Sequence, residues 1–410
     1  MADDFRDNGG AGGDVIVAGG GIAGLTTVLA LRAAGIPAKA YERAPALRTA
    51  ASGNGLVIWH NAVLALRAIG LEKELDAVGT ELRRYRFASR PRGKLADWSL
   101  TDGARAYGAP AYTVARPALH RMLTELVGDD LRLGARCTGF TETPDGVTAR
   151  FEDGSAVRGP LLVGADGLRS TVRAQLMPYE PAPHRVGMTA CQGSAALPHS
   201  AVPPGVFVNT FGEGTWFVYY RTDDDSVYWD AVLCDGPARR LAEGAPHLGS
   251  GIREALLREF GHWPSPVPEL IGATEDSGIL PVDVVDRDPV PRWSTDRVTL
   301  VGDAAQPVTF NLGQGANQAI EGAVVLAQCL AKARGGPPAG ALAAYGQRRI
   351  ARTRKIARRS RANAAFSRFR SPLACLLRDT FMRVAFDGPV YRATYRLTMD
   401  TDLTPEDIRP

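Results

Sequence analysis

The chain has 410 residues, 45% of them hydrophobic and 22% charged, with a formal net charge of +4. That apolar fraction supports a sizeable core and excludes an intrinsically disordered chain, while the length predicts about two or three structural units. The small net charge gives no electrostatic footprint for nucleic acid, and no apolar run reaches the ~18 residues of a membrane-spanning helix.

Met1–Gly13 is acidic and glycine-rich and lacks an apolar h-region, so it reads as a flexible leader rather than a signal peptide. The stretch that follows organises the chain. Asp14–Ala18 is a short β-branched run of the kind buried in a parallel sheet. Gly19, Gly21 and Gly24 fit G-x-G-x-x-G at a strand-to-helix corner. The first glycine permits the tight turn, the second lets a pyrophosphate approach the backbone, and the third lets helix and strand pack closely. Leu25–Ala34 continues as a helix whose N-terminal amides face an anion. Ala38–Glu42 is a second strand ending in an acid, about 20 residues on, placed to accept hydrogen bonds from a ribose diol.

Ser52–Gly55 reads as a loop, Leu56–Trp59 as a strand, and Asn61–Ile69 as a helix stopped by Gly70. Arg83–Phe87 and Lys94–Leu100 are strands around a Pro91-Arg92-Gly93 turn. Tyr112–Ala115 leads into a helix with Pro117 in its first turn and an apolar face of Leu119, Met122, Leu123 and Leu126. Leu131–Leu162 alternates strand and turn, and Leu161–Val163 enters Gly164-Ala165-Asp166-Gly167. Gly187–Leu233 is strand-rich and predicts an antiparallel sheet, followed by a helix at Ile252–Phe260. The buried-strand pattern returns at Arg297–Val301, just before Gly302-Asp303, and Gly313–Asn317 opens a long helix. A basic helix follows over about Ala341–Arg368. Its arginines (Arg348, Arg349, Arg352, Arg354, Arg358, Arg359 and Arg361) fall on several faces, so it reads as a solvated helix rather than a surface for nucleic acid or lipid. The five cysteines (Cys137, Cys191, Cys234, Cys329 and Cys375) lie far apart without a C-x-x-C pair. That argues against a metal centre or redox disulfide and predicts a reducing, cytoplasmic setting.

Three glycine-plus-acid turns therefore stand in order, with a strand-rich stretch interrupting them. In this the chain resembles the flavin-dependent aromatic hydroxylases, the group of p-hydroxybenzoate and salicylate hydroxylase and zeaxanthin epoxidase, over about Asp14–Arg361. The resemblance implies an α/β fold, with a Rossmann-like FAD-binding domain, an inserted and mainly antiparallel β-sheet substrate domain, and C-terminal helices. The corresponding ranges are 14–82, 111–185 and 278–340 for the FAD domain, 83–110 and 186–277 for the substrate domain, and 341–410 for the helical segment.

The resemblance also implies roles for residues. Gly19, Gly21, Ile22, Ala23 and Gly24 hold the pyrophosphate of FAD, Glu42 binds the adenosine ribose, and Arg43 lies by the adenine. Arg116 reaches the pyrophosphate or ribityl region. Asp166 and Gly167, in a G-A-D-G-x-x-S-x-V-R run with Arg169 and Arg173, match a motif assigned to both FAD and NAD(P)H use. Gly302 and Asp303 match the ribityl-binding turn, and Pro307, Gly313, Gln314, Gly315, Ala316 and Asn317 lie beside the isoalloxazine. A helix N-terminus there stabilises negative charge on the reduced ring.

For the substrate side, His60 is the first candidate for a base that deprotonates a phenol, with a structural or capping histidine as the alternative, and His120 reads as packing. Phe217, Tyr219 and Trp229 on the inserted strands, with Phe310, are candidates to line an apolar cavity; strand alternation turns some of the first three away from it. Cys191-Gln192 stands where related sequences often have tryptophan-arginine, which argues against a carboxylate-bearing substrate. The expected activity is an FAD-dependent, NAD(P)H-consuming monooxygenase that works through a flavin hydroperoxide on an aromatic, polyketide- or alkaloid-like small molecule and O2. The expected assembly is a monomer or homodimer. Epoxidation, Baeyer–Villiger insertion or a non-oxygenating FAD carrier are the alternatives.

Overall fold

The computed structural model describes residues 13–46, 55–238, 241, 251–333, 336–385, 389–401 and 403. The predicted leader, residues 1–12, and the predicted loop at Ser52–Asn54 lie outside them.

A five-stranded sheet runs in the order Val298–Leu300, Leu162–Gly164, Val15–Ala18, Ala38–Tyr41, Leu131–Arg132, and every pairing in it is parallel. Its side chains alternate between two layers. Val15 and Val17 join a core with helix Ile22–Ala33 and helix Gly315–Lys332, whereas Ile16 and Ala18 pack with Phe140, Val147 and Phe151 of a three-stranded antiparallel sheet. Both faces are covered, which is why Val15–Ala18 is buried along its whole length and apolar at every position.

A seven-stranded sheet forms the second unit, in the order Leu280–Asp286, His184–Ala195, Val227–Cys234, Thr215–Arg221, Val206–Phe211, Arg84–Ser89, Gly93–Ser99. All of its pairings are antiparallel except that between Val206–Phe211 and Arg84–Ser89. Leu280–Asp286 corrects the expected boundary, since the chain stays with this sheet beyond residue 278. It is an edge strand with several exposed positions, so its apolar alternation is weak and it resembles a loop in sequence. Helices Ile252–Phe260 and Val267–Gly272 cover one face of this sheet around Phe217, Trp229 and Phe260.

Helix Pro338–Ser367 packs against helix Gly315–Lys332. Its expected solvated character is corrected at Arg349. This guanidinium is buried and paired with the equally buried Glu321, which also receives Arg352 and, at 2.8 Å, the Asn61 amide. Helix Pro372–Ala385 is tied to the large sheet by Asp379, which accepts a 2.6 Å hydrogen bond from Ser89, and by Arg378 stacked over Phe211. Among the described residues no helix is long and apolar enough to cross a membrane.

Candidate active site

The carboxyl ends of three parallel strands carry the three turns. Val15–Ala18 opens into Gly19–Gly21, Leu162–Gly164 into Ala165–Gly167, and Val298–Leu300 into Gly302–Asp303. Open α/β sheets bind ligands at such ends. Here the turns form one wall of a cavity of ≈ 360 Å³ whose other wall is the seven-stranded sheet.

The glycines are fixed by close approach. A Cβ on Gly24 would stand 1.8 Å from the carbonyl oxygen of Gly19, and one on Gly19, at φ +116°, 2.4 Å from that of Ala165. No atom lies within 4 Å of a Cβ built on Gly21, which faces the cavity with Ile22 and Ala23. Helix Ile22–Ala33 starts there without a side-chain cap, and helix Gly315–Lys332 likewise, with Gly313, Gly315 and Ala316 on the cavity wall. Two uncapped helix N-termini thus present unsatisfied N–H groups and positive dipole ends to one space. Arg116 and Asp303 line it between them. Asp303 opens onto the cavity, where its side chain is accessible. Burial pushes its carboxyl up, and the charge of Arg116 opposes that shift.

Several other sequence candidates act behind this wall. Glu42 ends its strand half-buried and accepts the Gly20 N–H at 2.7 Å and the Ala44 N–H at 3.0 Å. Arg43 beside it is exposed, and neither residue lines the cavity. His120 contributes more than packing, because its Nε2 lies 2.7 Å from the Gly20 carbonyl. Asp166 turns away and accepts the Thr171 and Val172 N–H groups at 2.7 and 3.3 Å, leaving Ala165 and Gly167 on the wall. Arg173 is buried and donates to the Ala304 carbonyl at 2.8 Å and to Glu180, locking the second turn onto the third. Asn317 accepts the Trp59 N–H and donates to the Val57 and Gly313 carbonyls, and Gln314 bonds Asn61 and Gln318. Asn317 therefore positions the helix start against strand Gly55–Ile58 and Gln314 positions it against helix His60–Ala68, and neither lines the cavity. Pro307 is buried, and its neighbour Val308 is the lining residue.

His60 is corrected as a base. It is fully buried, its Nδ1 lies 2.7 Å from the Ala109 carbonyl, its Nε2 meets the Tyr395 hydroxyl, and it does not line the cavity. Burial lowers its pKa, against the backbone hydrogen bonds at Ala109 and Pro110.

Alternation also overturns three of the four substrate candidates. Trp216, Val218 and Tyr220 line the cavity, as do Tyr228 and Asp230 on the next strand, so Phe217, Tyr219 and Trp229 point to the opposite face. There Phe217 and Trp229 stack with centroids 5.6 Å apart under the covering helices. Phe310 does line the cavity, 6.2 Å from the Trp216 ring. Tyr85, Phe207, Asn209 and Gln192 complete the sheet wall, and Cys191 faces away. The sequence signal for this wall was Asp230, the one acid in a strand whose eight residues are all buried.

The FAD binding domain family matches residues 13–196 and 284–360. The chain belongs to that family. It is 38% identical over 95% of its length to the aurachin C monooxygenase/isomerase of Stigmatella aurantiaca, covering 98% of that protein. It is 34% identical to the 3-amino-4-hydroxybenzoate 2-monooxygenase of Streptomyces cremeus, over 95% of this chain and 98% of that one. Among solved structures, Klebsiella pneumoniae HpxO complexed with FAD and uric acid superposes with a TM-score of 0.85 at 26% identity, over 94% of this chain and 96% of that one. The protein is an FAD-dependent monooxygenase of this family, with NAD(P)H as electron donor.

The turns fit the cofactor. Gly21 leaves room where a side chain would intrude, and the two uncapped helix starts match an anionic pyrophosphate and an electron-accepting ring. Gly21, Ile22 and Ala23 would hold the phosphates, with Arg116 beside them. Asp303 would accept from ribityl hydroxyls, and Gly313–Ala316 would border the ring.

Proposed function

We propose that the protein hydroxylates a small aromatic substrate seated against the seven-stranded sheet, in specialised metabolism and in the cytoplasm, as a monomer or homodimer. One observation carries this reading. A single cavity joins the glycine turns to a wall of Trp59, Tyr85, Phe207, Trp216, Tyr220 and Tyr228, so an aromatic ring can lie on aromatic faces while touching the cofactor's end of the space.

When bound, FAD supplies the redox chemistry, taking hydride from NAD(P)H and activating O2. The chain's own contribution is to bind, orient and exclude water. Val218 and Phe310 close the apolar sides, and Tyr220 and Tyr228 remain neutral hydroxyls because burial, followed by the charge of Asp230, drives their pKa well above the ordinary value. Substrates named for the relatives, an aminohydroxybenzoate and urate among them, are ring compounds bearing hydroxyl or N–H groups, which favours hydroxylation over a carrier role. The test is a screen of aromatic compounds for acceleration of NAD(P)H oxidation by the yellow protein, followed by mass spectrometry. Gain of one oxygen by an accelerating compound is the expected result. A protein that takes up no FAD, or that accelerates with no aromatic compound, overturns the reading.

A further inference from the structure

Asp230 has no counterpart among the groups that serve the cofactor. Strand alternation places it with Tyr228 on the cavity face of Val227–Cys234, and the sheet register sets it directly opposite Gln192 on one side and Val218 on the other. The residue is 6% exposed, and Gln192 and Tyr228 stand beside it on the same wall. Even so, its Oδ1 is buried with no partner. Three more buried atoms without partners belong to residues on the same cavity wall, namely Asn209 Oδ1, Asn311 Oδ1 and Trp59 Nε1.

A buried polar atom left unpaired costs about 1–3 kcal/mol, and such atoms in native structures call for an explanation. Four of them around one cavity are explained by a ligand that pairs them. Three of the four are oxygen acceptors, so the complementary ligand brings O–H or N–H donors. The charge around the cavity agrees. Arg116 is the single cation among the described lining residues, and its charge acts on Asp303 and Tyr228. A carboxylate at the sheet wall would instead meet Asp230, with only neutral Gln192, Tyr220 and Tyr228 around it.

We propose that Asp230, flanked by Gln192 and Tyr228, selects the substrate by accepting a hydrogen bond from a ring hydroxyl or ring N–H through Oδ1, and that it rejects a carboxylate at that position. The inference rests on the aromatic-substrate reading above and adds the group on the ring that is recognised. Burial pushes the Asp230 carboxyl up to about 7, so the repulsion of anions is strongest at pH values above that.

The test uses the oxidised FAD holoenzyme without turnover. Three matched probes, 2-naphthol, 2-methoxynaphthalene and 2-naphthoate, are titrated while the perturbation of flavin absorbance is followed, about one pH unit above the Asp230 value. The wild type is expected to bind 2-naphthol about tenfold or more tightly than its methyl ether, because the hydrogen bond is to a charged acceptor, and to bind 2-naphthoate weakest. In Asp230→Leu the preference for the naphthol over the ether disappears. Asp230→Asn preserves the shape should the leucine variant not fold, and in it 2-naphthoate binding tightens about tenfold as the charge is removed. Equal affinities for naphthol and ether in the wild type, or unchanged preferences in Asp230→Asn, overturn the role of Asp230 and leave the aromatic reading standing. If none of the three probes perturbs the flavin, both fall.

Discussion

Asp303 and His60 are both polar side chains whose pKa the surrounding protein shifts, yet they do different things, and the difference is what each faces. Asp303 opens onto the cavity, and Arg116 is the group that opposes the burial shift of its carboxyl. Asp303→Ala should weaken FAD retention about 10- to 100-fold, the worth of a hydrogen bond to a charged group, measured by equilibrium dialysis of the cofactor. His60 instead spends both ring nitrogens on Ala109 and Tyr395. Its pKa is lowered from 6.5 by burial, so the folded state favours neutral imidazole. The stability it contributes is present above 6.5 and is lost as the pH falls below that value toward the lowered folded pKa. His60→Gln should therefore flatten the acid side of the stability profile in urea titrations and leave the pH dependence of turnover unchanged.

At the scale of elements, three helices meet at one carboxylate. Glu321 of Gly315–Lys332 binds Asn61 of helix His60–Ala68 and both Arg349 and Arg352 of Pro338–Ser367. Burial alone would raise its pKa; the two guanidiniums and the hydrogen bonds reverse that and hold it at about 2. Its stabilisation is complete above the unfolded value of 4.5 and is lost as the pH falls from there through about 2. Glu321→Ala leaves two arginines facing an empty place and should cost about 3–5 kcal/mol by chemical denaturation. The strand Thr215–Arg221 has two faces with separate duties. Phe217→Ala should cost about 3–5 kcal/mol of stability, as a cavity in a helix-covered core does, with FAD content unaltered. Val218→Trp should leave stability within about 3 kcal/mol of the wild type but abolish the flavin response to aromatic ligands by filling the cavity.

At the scale of the whole molecule, the site exists only because two sheets face each other. Phe310, on the segment that leads into helix Gly315–Lys332, meets Trp216 on the large sheet and closes the gap between the two units. Phe310→Ala should admit water to the cavity and raise the share of NAD(P)H consumption that ends as hydrogen peroxide, measured by peroxide assay against oxygenated product.

The glycine turns were legible because their reasons are local. A left-handed φ at Gly19 and a contact that forbids any Cβ at Gly24 are set within a single strand–turn–helix unit, so residue type and spacing report them directly. The parallel sheet and the return of the chain at Val298–Leu300 were legible for the same reason, since a strand buried on both faces is apolar throughout. The sheet wall was not legible beyond the lone acid Asp230. Val227–Cys234 is buried on both sides, so its composition does not say which face meets helices and which meets the cavity. A parity error of one residue exchanges Phe217 for Val218 and Trp229 for Asp230. The sequence by itself determined the glycine turns and helix starts that border the cavity, because backbone conformation and helix dipoles are properties of short segments. Which side chains face the cavity was decided only by the tertiary structure, because facing is a relation between two sheets that no single strand contains.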